Sequence, residues 1–147
     1  MKKIMSIAVS IIIAFSCLGT AYADEERSID QLLTAYENDN NEKDLPKVKA
    51  YFYKSYIQIA YDGKGRISTW SPADGDKFWK DTESFFRGIK SYKMTNRQIT
   101  IDQNIAYVRC KEINSYKNGK TYTYKSMLTL VKVRERWYIA VIITQQV

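Results

Sequence analysis

Asn118-Gly119 separates two runs of alternating residues, Ile105 to Tyr116 and Tyr122 to Val133, and it is the strongest local constraint in the chain. A two-residue turn of this composition tolerates positive φ at both positions and matches the twist of antiparallel strands, so the runs pair as a hairpin. Tyr92 to Ile101 precedes them across Asp102-Gln103-Asn104, and Trp137 to Thr144 follows across Arg134-Glu135-Arg136. The C-terminal half therefore reads as an antiparallel meander. Alternation in the Ile105 run separates Ala106, Val108, Cys110 and Glu112 from Tyr107, Arg109, Lys111 and Ile113, and the first set is expected on the inner face.

Upstream the period changes. Ser28-Ile29-Asp30-Gln31 has the form of a capping box, and Ile29, Leu32, Leu33 and Tyr36 then make one helical stripe that Asn38-Asp39-Asn40-Asn41 is expected to end. A short helix follows from Asp44, with Pro46 in its first turn and Leu45, Val48 and Phe52 on one side. Tyr56 to Ala60 reads as a strand, Asp62-Gly63-Lys64-Gly65 as its turn and Arg66 to Trp70 as the returning arm. Ser71-Pro72 then opens a helix with Phe78, Thr82, Phe85, Phe86 and Ile89 at helical spacing. Helices followed by long strands make an α+β domain, its N-terminal helices packed on a curved, mostly antiparallel sheet.

The first 23 residues fix the compartment. Lys2 and Lys3, the apolar run Ile4 to Leu18 and the small-x-small site Ala21-Tyr22-Ala23 read as an export signal, with residues 24–147 as one exported domain, periplasmic or secreted. The run is shorter than the roughly 20 residues a spanning helix needs, so no membrane span is expected after cleavage. Lipidation at Cys17 is opposed by the bulky Phe15 before it. Lys2 and Lys3 leave with the signal, and 21 of the 23 basic residues remain against 16 acidic ones. They are dispersed rather than striped, which argues against a nucleic-acid partner. Cys110 is the one cysteine after the signal, so no internal disulfide forms.

The chain has no His, which excludes Ser-His-Asp and Cys-His catalysis and any His-ligated metal. Asp62, Asp74, Asp76 and Asp102 fall at turns or helix starts, where carboxylates cap backbone donors. No cofactor is expected. Twelve Tyr and three Trp offer large contact area with polar handles, suited to a ring, a sugar or an extended peptide. Trp137 is assigned to the core, Trp70 and Trp79 to a pocket rim beside the Ser71-Pro72 helix start, and Glu112 to the inner end of its strand.

The order of elements resembles the nuclear transport factor 2-like superfamily, the cone-shaped fold shared with scytalone dehydratase, ketosteroid isomerase and polyketide-cyclase-like proteins. The resemblance spans residues 28–147 and is carried by Tyr51-Phe52-Tyr53-Lys54-Ser55-Tyr56-Ile57, by the strand-turn-strand Ile101 to Val108, and by Arg134-Glu135-Arg136-Trp137-Tyr138-Ile139. It implies a pocket open at one end and a homodimer through the outer sheet face. The missing His removes the scytalone dehydratase type of mechanism. The expected function is a non-catalytic binding or accessory module that holds a small molecule or peptide, with Tyr56, Trp70, Trp79, Arg109 and Glu112 as ligand-binding candidates. The alternatives are a lyase, isomerase or cyclase-like enzyme using a buried carboxylate and Tyr, and an envelope interaction or immunity-type module acting through its sheet face.

Overall fold

The computed structural model describes the backbone of residues 2–147 and the side chains of residues 22–147. The expected export signal falls almost wholly on side chains outside the described ones. Three helices, α1 (Lys2–Glu42), α2 (Leu45–Lys49) and α3 (Asp76–Gly88), accompany six strands: β1 (Phe52–Tyr61), β2 (Ile67–Trp70), β3 (Ile89–Asp102), β4 (Ile105–Tyr116), β5 (Thr121–Val133) and β6 (Arg136–Gln146). The strands form one sheet in the order β2-β1-β6-β5-β4-β3. From β3 to β6 it is the expected antiparallel meander, and β1 joins it parallel to β6.

Three helix ends differ from the sequence reading. Ser28 lies inside α1 instead of capping it, and the helix runs on to Glu42 through the Asn-rich stretch. Those asparagines do not break it because their side chains have other partners. Asn40 Nδ2 donates back to the Tyr36 carbonyl at 2.7 Å, and Asn41 reaches β3. Lys43, with φ of 61°, makes the actual stop, and the Asp44 carboxylate caps α2 by accepting from the Lys47 amide. Ser71 does form a capping box, with Asp74, but it caps a single 3-10 turn at Pro72–Asp74; Gly75 then turns the chain into α3.

The hairpin turns also trade roles. Gly119 has φ of +83° while Asn118 stays out of the left-handed region, so the turn is closed by the Gly119 amide donating to the Tyr116 carbonyl at 3.0 Å. The pair with positive φ at both positions is Arg134-Glu135, at 48° and 62°, between the paired residues Val133 and Arg136.

The inner face of the sheet carries Ala106, Val108, Leu128, Leu130 and Ile139, all fully buried against Ile29 and Leu33 of α1. At Asn96, with φ of 54°, the β3–β4 register slips between Thr95 and Gln98, which leaves Arg97 reaching α1. Its guanidinium donates to Asp30 Oδ1 at 2.9 Å, Thr34 Oγ1 at 2.8 Å and Glu37 Oε2 at 3.0 Å. Glu25 fastens the same helix further back, accepting from Lys132 Nζ at 2.6 Å and from Trp137 Nε1 at 2.8 Å.

Candidate functional site

Between the helices and the concave side of the sheet lies a cavity of about 560 Å³, within the range of small-molecule sites. Each element supplies one part of its wall. Tyr36 and Asn40 come from α1, Val48 from α2, Phe52, Gln58 and Ala60 from β1, and Trp70 from the end of β2. Phe78, Asp81, Thr82, Ser84 and Phe85 come from one side of α3, whose stripe is buried at Phe78 and Phe86 and opens to solvent at Asp81 and Ser84. The sheet contributes Tyr92, Glu112, Asn114, Tyr116, Tyr124, Ile142 and Thr144.

The rings support one another edge to face. Tyr36 meets Phe52, Tyr51 and Tyr92 at centroid distances of 5.8, 5.6 and 6.0 Å, and Phe85 meets Tyr116 at 6.3 Å. Such pairs fix ring orientation as well as adding contact area.

Glu112 is the chemical centre of the cavity. It is 6% exposed, and its Oε1 has no hydrogen-bond partner. Loss of water around the carboxylate pushes its pKa up, because the charged form is the one penalised; the Ser126 and Tyr92 hydroxyls beside it pull in the opposite direction without reversing the shift. Asn114, two residues on and on the same face of β4, is 7% exposed and leaves Oδ1 without a partner. Burial and the neighbouring Glu112 charge raise the Tyr92 hydroxyl well above its ordinary value, and the Cys110 thiol rises to about 12 for the same two reasons. The cavity therefore ends on a carboxyl of raised pKa, a phenol and an amide oxygen, groups able to hydrogen-bond a ligand's polar atoms.

The candidates from sequence divide between cavity, core and outer face. Glu112 and Trp70 line the cavity, one deep and one at the rim. Trp79 packs beside it against Phe78 at 4.5 Å, with Lys49 Nζ 4.5 Å from its ring centroid. Tyr56 is fully buried, stacked on Phe52 at 4.1 Å with its hydroxyl donating to Gln58 Oε1, and belongs to the packing behind the wall. Arg109 points away from the cavity because it has the opposite parity to Glu112 on β4; it borders a shallow depression with Tyr61, Lys125 and Met127 on the outer face. That face also exposes Ile57 and Tyr107. Sequence reasoning passed over Tyr36, Tyr92 and Asn114 as site residues. Asn114 was within reach, since it continues the alternation of Ala106, Val108, Cys110 and Glu112.

No family model and no curated protein matches the sequence. Solved structures do match. A candidate scytalone dehydratase from Novosphingobium aromaticivorans aligns with a TM-score of 0.65 at 17% identity, covering 86% of each chain. A nuclear transport factor 2-like protein of unknown function from Shewanella oneidensis aligns at 0.66 and 19%, covering 82% of this chain and 98% of its own. A protein of unknown function with a cystatin-like fold from Nostoc punctiforme aligns at 0.62 and 14%, covering 83% and 90%. Identities this low carry the architecture and not the chemistry. With its helices folded against a curved six-stranded sheet around a cavity, the chain has the nuclear transport factor 2-like α+β cone fold.

Proposed function

We infer that this protein is an exported binding module whose cone cavity holds a small organic molecule, by apolar burial on aromatic rings and a few hydrogen bonds at the Glu112 end. The observation that carries the reading is a cavity of about 560 Å³ whose wall includes eight Phe, Tyr and Trp side chains and buried polar atoms without partners. Unpartnered buried oxygens cost stability, and a ligand that satisfies them recovers that cost on binding. The test is a thermal-shift screen of the purified protein against metabolites, sugars and peptides. A ligand that raises the melting temperature, and loses its effect when Ala60→Trp fills the wall, supports the reading; no shift across the library overturns it.

A second reading rests on Glu112 itself. A carboxyl whose pKa is raised by burial beside the Tyr92 hydroxyl is suited to acid–base chemistry on a bound carbonyl, as a lyase, isomerase or cyclase-like enzyme requires. A ligand from the screen that is turned over by the wild type, and bound but not turned over by Glu112→Gln, establishes that reading over simple binding.

A further inference from the structure

The charge of the cavity runs against the charge of the chain. The protein has 23 Lys and Arg against 16 Asp and Glu, yet among the described residues the cavity wall includes Asp81 and Glu112 and no basic side chain. The nearby cations are employed elsewhere: Arg97 is held by Asp30 and Glu37, and Lys49 lies over Trp79, whose ring is not part of the wall. An anionic ligand would enter a space lined by two carboxyl groups and by no basic side chain among the described residues.

The remaining wall is aromatic, and aromatic faces carry negative potential that attracts a cation more strongly once water is displaced. Resting on the reading that the cavity binds a small organic molecule, we propose that its ligand is an organic cation, a protonated amine or quaternary ammonium, seated among Tyr36, Tyr92 and Tyr116 with its charge against the Glu112 carboxylate. Glu112 supplies the second, independent pointer, because its Oε1 is buried in the cavity wall without a partner. The positive charge of the whole chain opposes entry only weakly, since surface charges are screened over about 8–10 Å of ordinary saline. Asp81 stands at the rim, paired at 3.2 Å with exposed Lys77, an arrangement that water weakens and that leaves the carboxylate free to steer a cation inward.

Binding is then linked to the protonation of Glu112. In the empty cavity burial raises the Glu112 pKa, whereas a fixed positive charge beside it favours the carboxylate, so in the pH range where the empty site still holds the proton, that proton leaves to solvent as the cation seats. The titratable groups facing Glu112 are Tyr36 on α1, Tyr56 on β1, Tyr92 on β3, Cys110 on β4 and Tyr124 on β5, and all of them have raised pKa values. They stay neutral at physiological pH, which leaves Glu112 as the titrating group, and cation affinity rises as pH climbs through its range.

Three probes of one size and different charge test this on the full chain by calorimetry: 2-phenylethylamine, 2-phenylethanol and phenylacetate. The expected result at neutral pH is that the amine binds at least about tenfold more tightly than the alcohol and phenylacetate does not bind. Repeating the amine titration at acidic pH, in buffers of different ionisation enthalpy, should show proton release that fades as pH rises. Glu112→Gln keeps the side-chain shape, and it should weaken the amine by about tenfold, abolish the released proton and leave the alcohol unchanged. The proposal is overturned if the alcohol binds as tightly as the amine, if phenylacetate binds better than either, or if Glu112→Gln leaves amine affinity intact. Alcohol binding without amine preference ends the cation proposal while the cavity reading stands; silence from all three ends the cation proposal and leaves the cavity reading to its library screen.

Discussion

The side-chain amide of Asn41 imitates a neighbouring strand for Tyr92: its Nδ2 donates to the Tyr92 carbonyl at 2.9 Å and its Oδ1 accepts from the Tyr92 amide at 2.7 Å. β3 is an edge strand, so these backbone groups have no partner within the sheet. Asn41→Ala should therefore cost about 1–3 kcal/mol by leaving two part-buried backbone groups unpaired. Asn41→Asp, which keeps the acceptor alone, should fall between. Urea unfolding of the three proteins checks the order, and an unchanged midpoint in Asn41→Ala would mean that water replaces the pair without loss.

Glu112 gives stability a definite dependence on pH. Its folded pKa lies above the ordinary 4.5, so between 4.5 and that raised value the folded protein holds a proton the unfolded chain has lost. Stability contributed by this group is thus full below 4.5 and declines as pH rises through the folded pKa, with a slope that approaches about 1.4 kcal/mol per pH unit. Glu112→Gln should flatten that decline and be the more stable protein at alkaline pH. Melting curves of both proteins across the window decide it; parallel curves would show that Glu112 is not held protonated.

Cys110 should be inert while the protein is folded. With its thiol pushed to about 12 by burial and by Glu112, the thiolate fraction at pH 8 is on the order of one in ten thousand. Iodoacetamide labelling should be slow in buffer and fast in urea. Rapid labelling of the folded state would mean that the β4 face opens to solvent.

Gly75 joins the 3-10 turn to α3 with φ of +68° and ψ of −142°, a conformation that only glycine adopts readily. An added Cβ would meet nothing within 4 Å, so the cost of Gly75→Ala is backbone strain, about 1–3 kcal/mol, without a clash. Chemical denaturation should show that loss. A neutral result would mean that the turn relaxes, which an altered position of Trp70 and α3 would reveal by fluorescence.

Strand existence and parity were legible in the sequence, because a two-residue period with one buried face leaves a plain record; the inner face of β4 follows directly from it. Local chemistry was less informative where a longer-range partner intervened. Asn38 to Asn41 read as a helix stop, yet the Asn40 and Asn41 amides are occupied by Tyr36 and Tyr92, so α1 continues. Asn118-Gly119 read as the doubly left-handed turn, and that geometry occurs at Arg134-Glu135 instead, where the pairing of Val133 with Arg136 imposes it on residues with no preference for it. Side-chain direction decides membership of the cavity: Arg109 has the outer-face parity that the β4 alternation already indicates, and Tyr56 sits one layer behind. Tyr36 and Tyr92 come from different elements, and only the packing of α1 on β3 brings them together.

The two halves of the sheet meet through a single strand, β6, which pairs with β1 on one side and β5 on the other. Ile57 lies beside Val141, so β1 waits for a partner made long after it, and β2 can find only β1. Assembly from such distant pairings is slow compared with forming the β3–β4–β5 hairpins. Until β6 arrives, β1, which carries Phe52, Gln58 and Ala60, has only β2 to pair with, and the cavity lacks a wall; the ability to hold a ligand is therefore among the last properties the folding chain acquires.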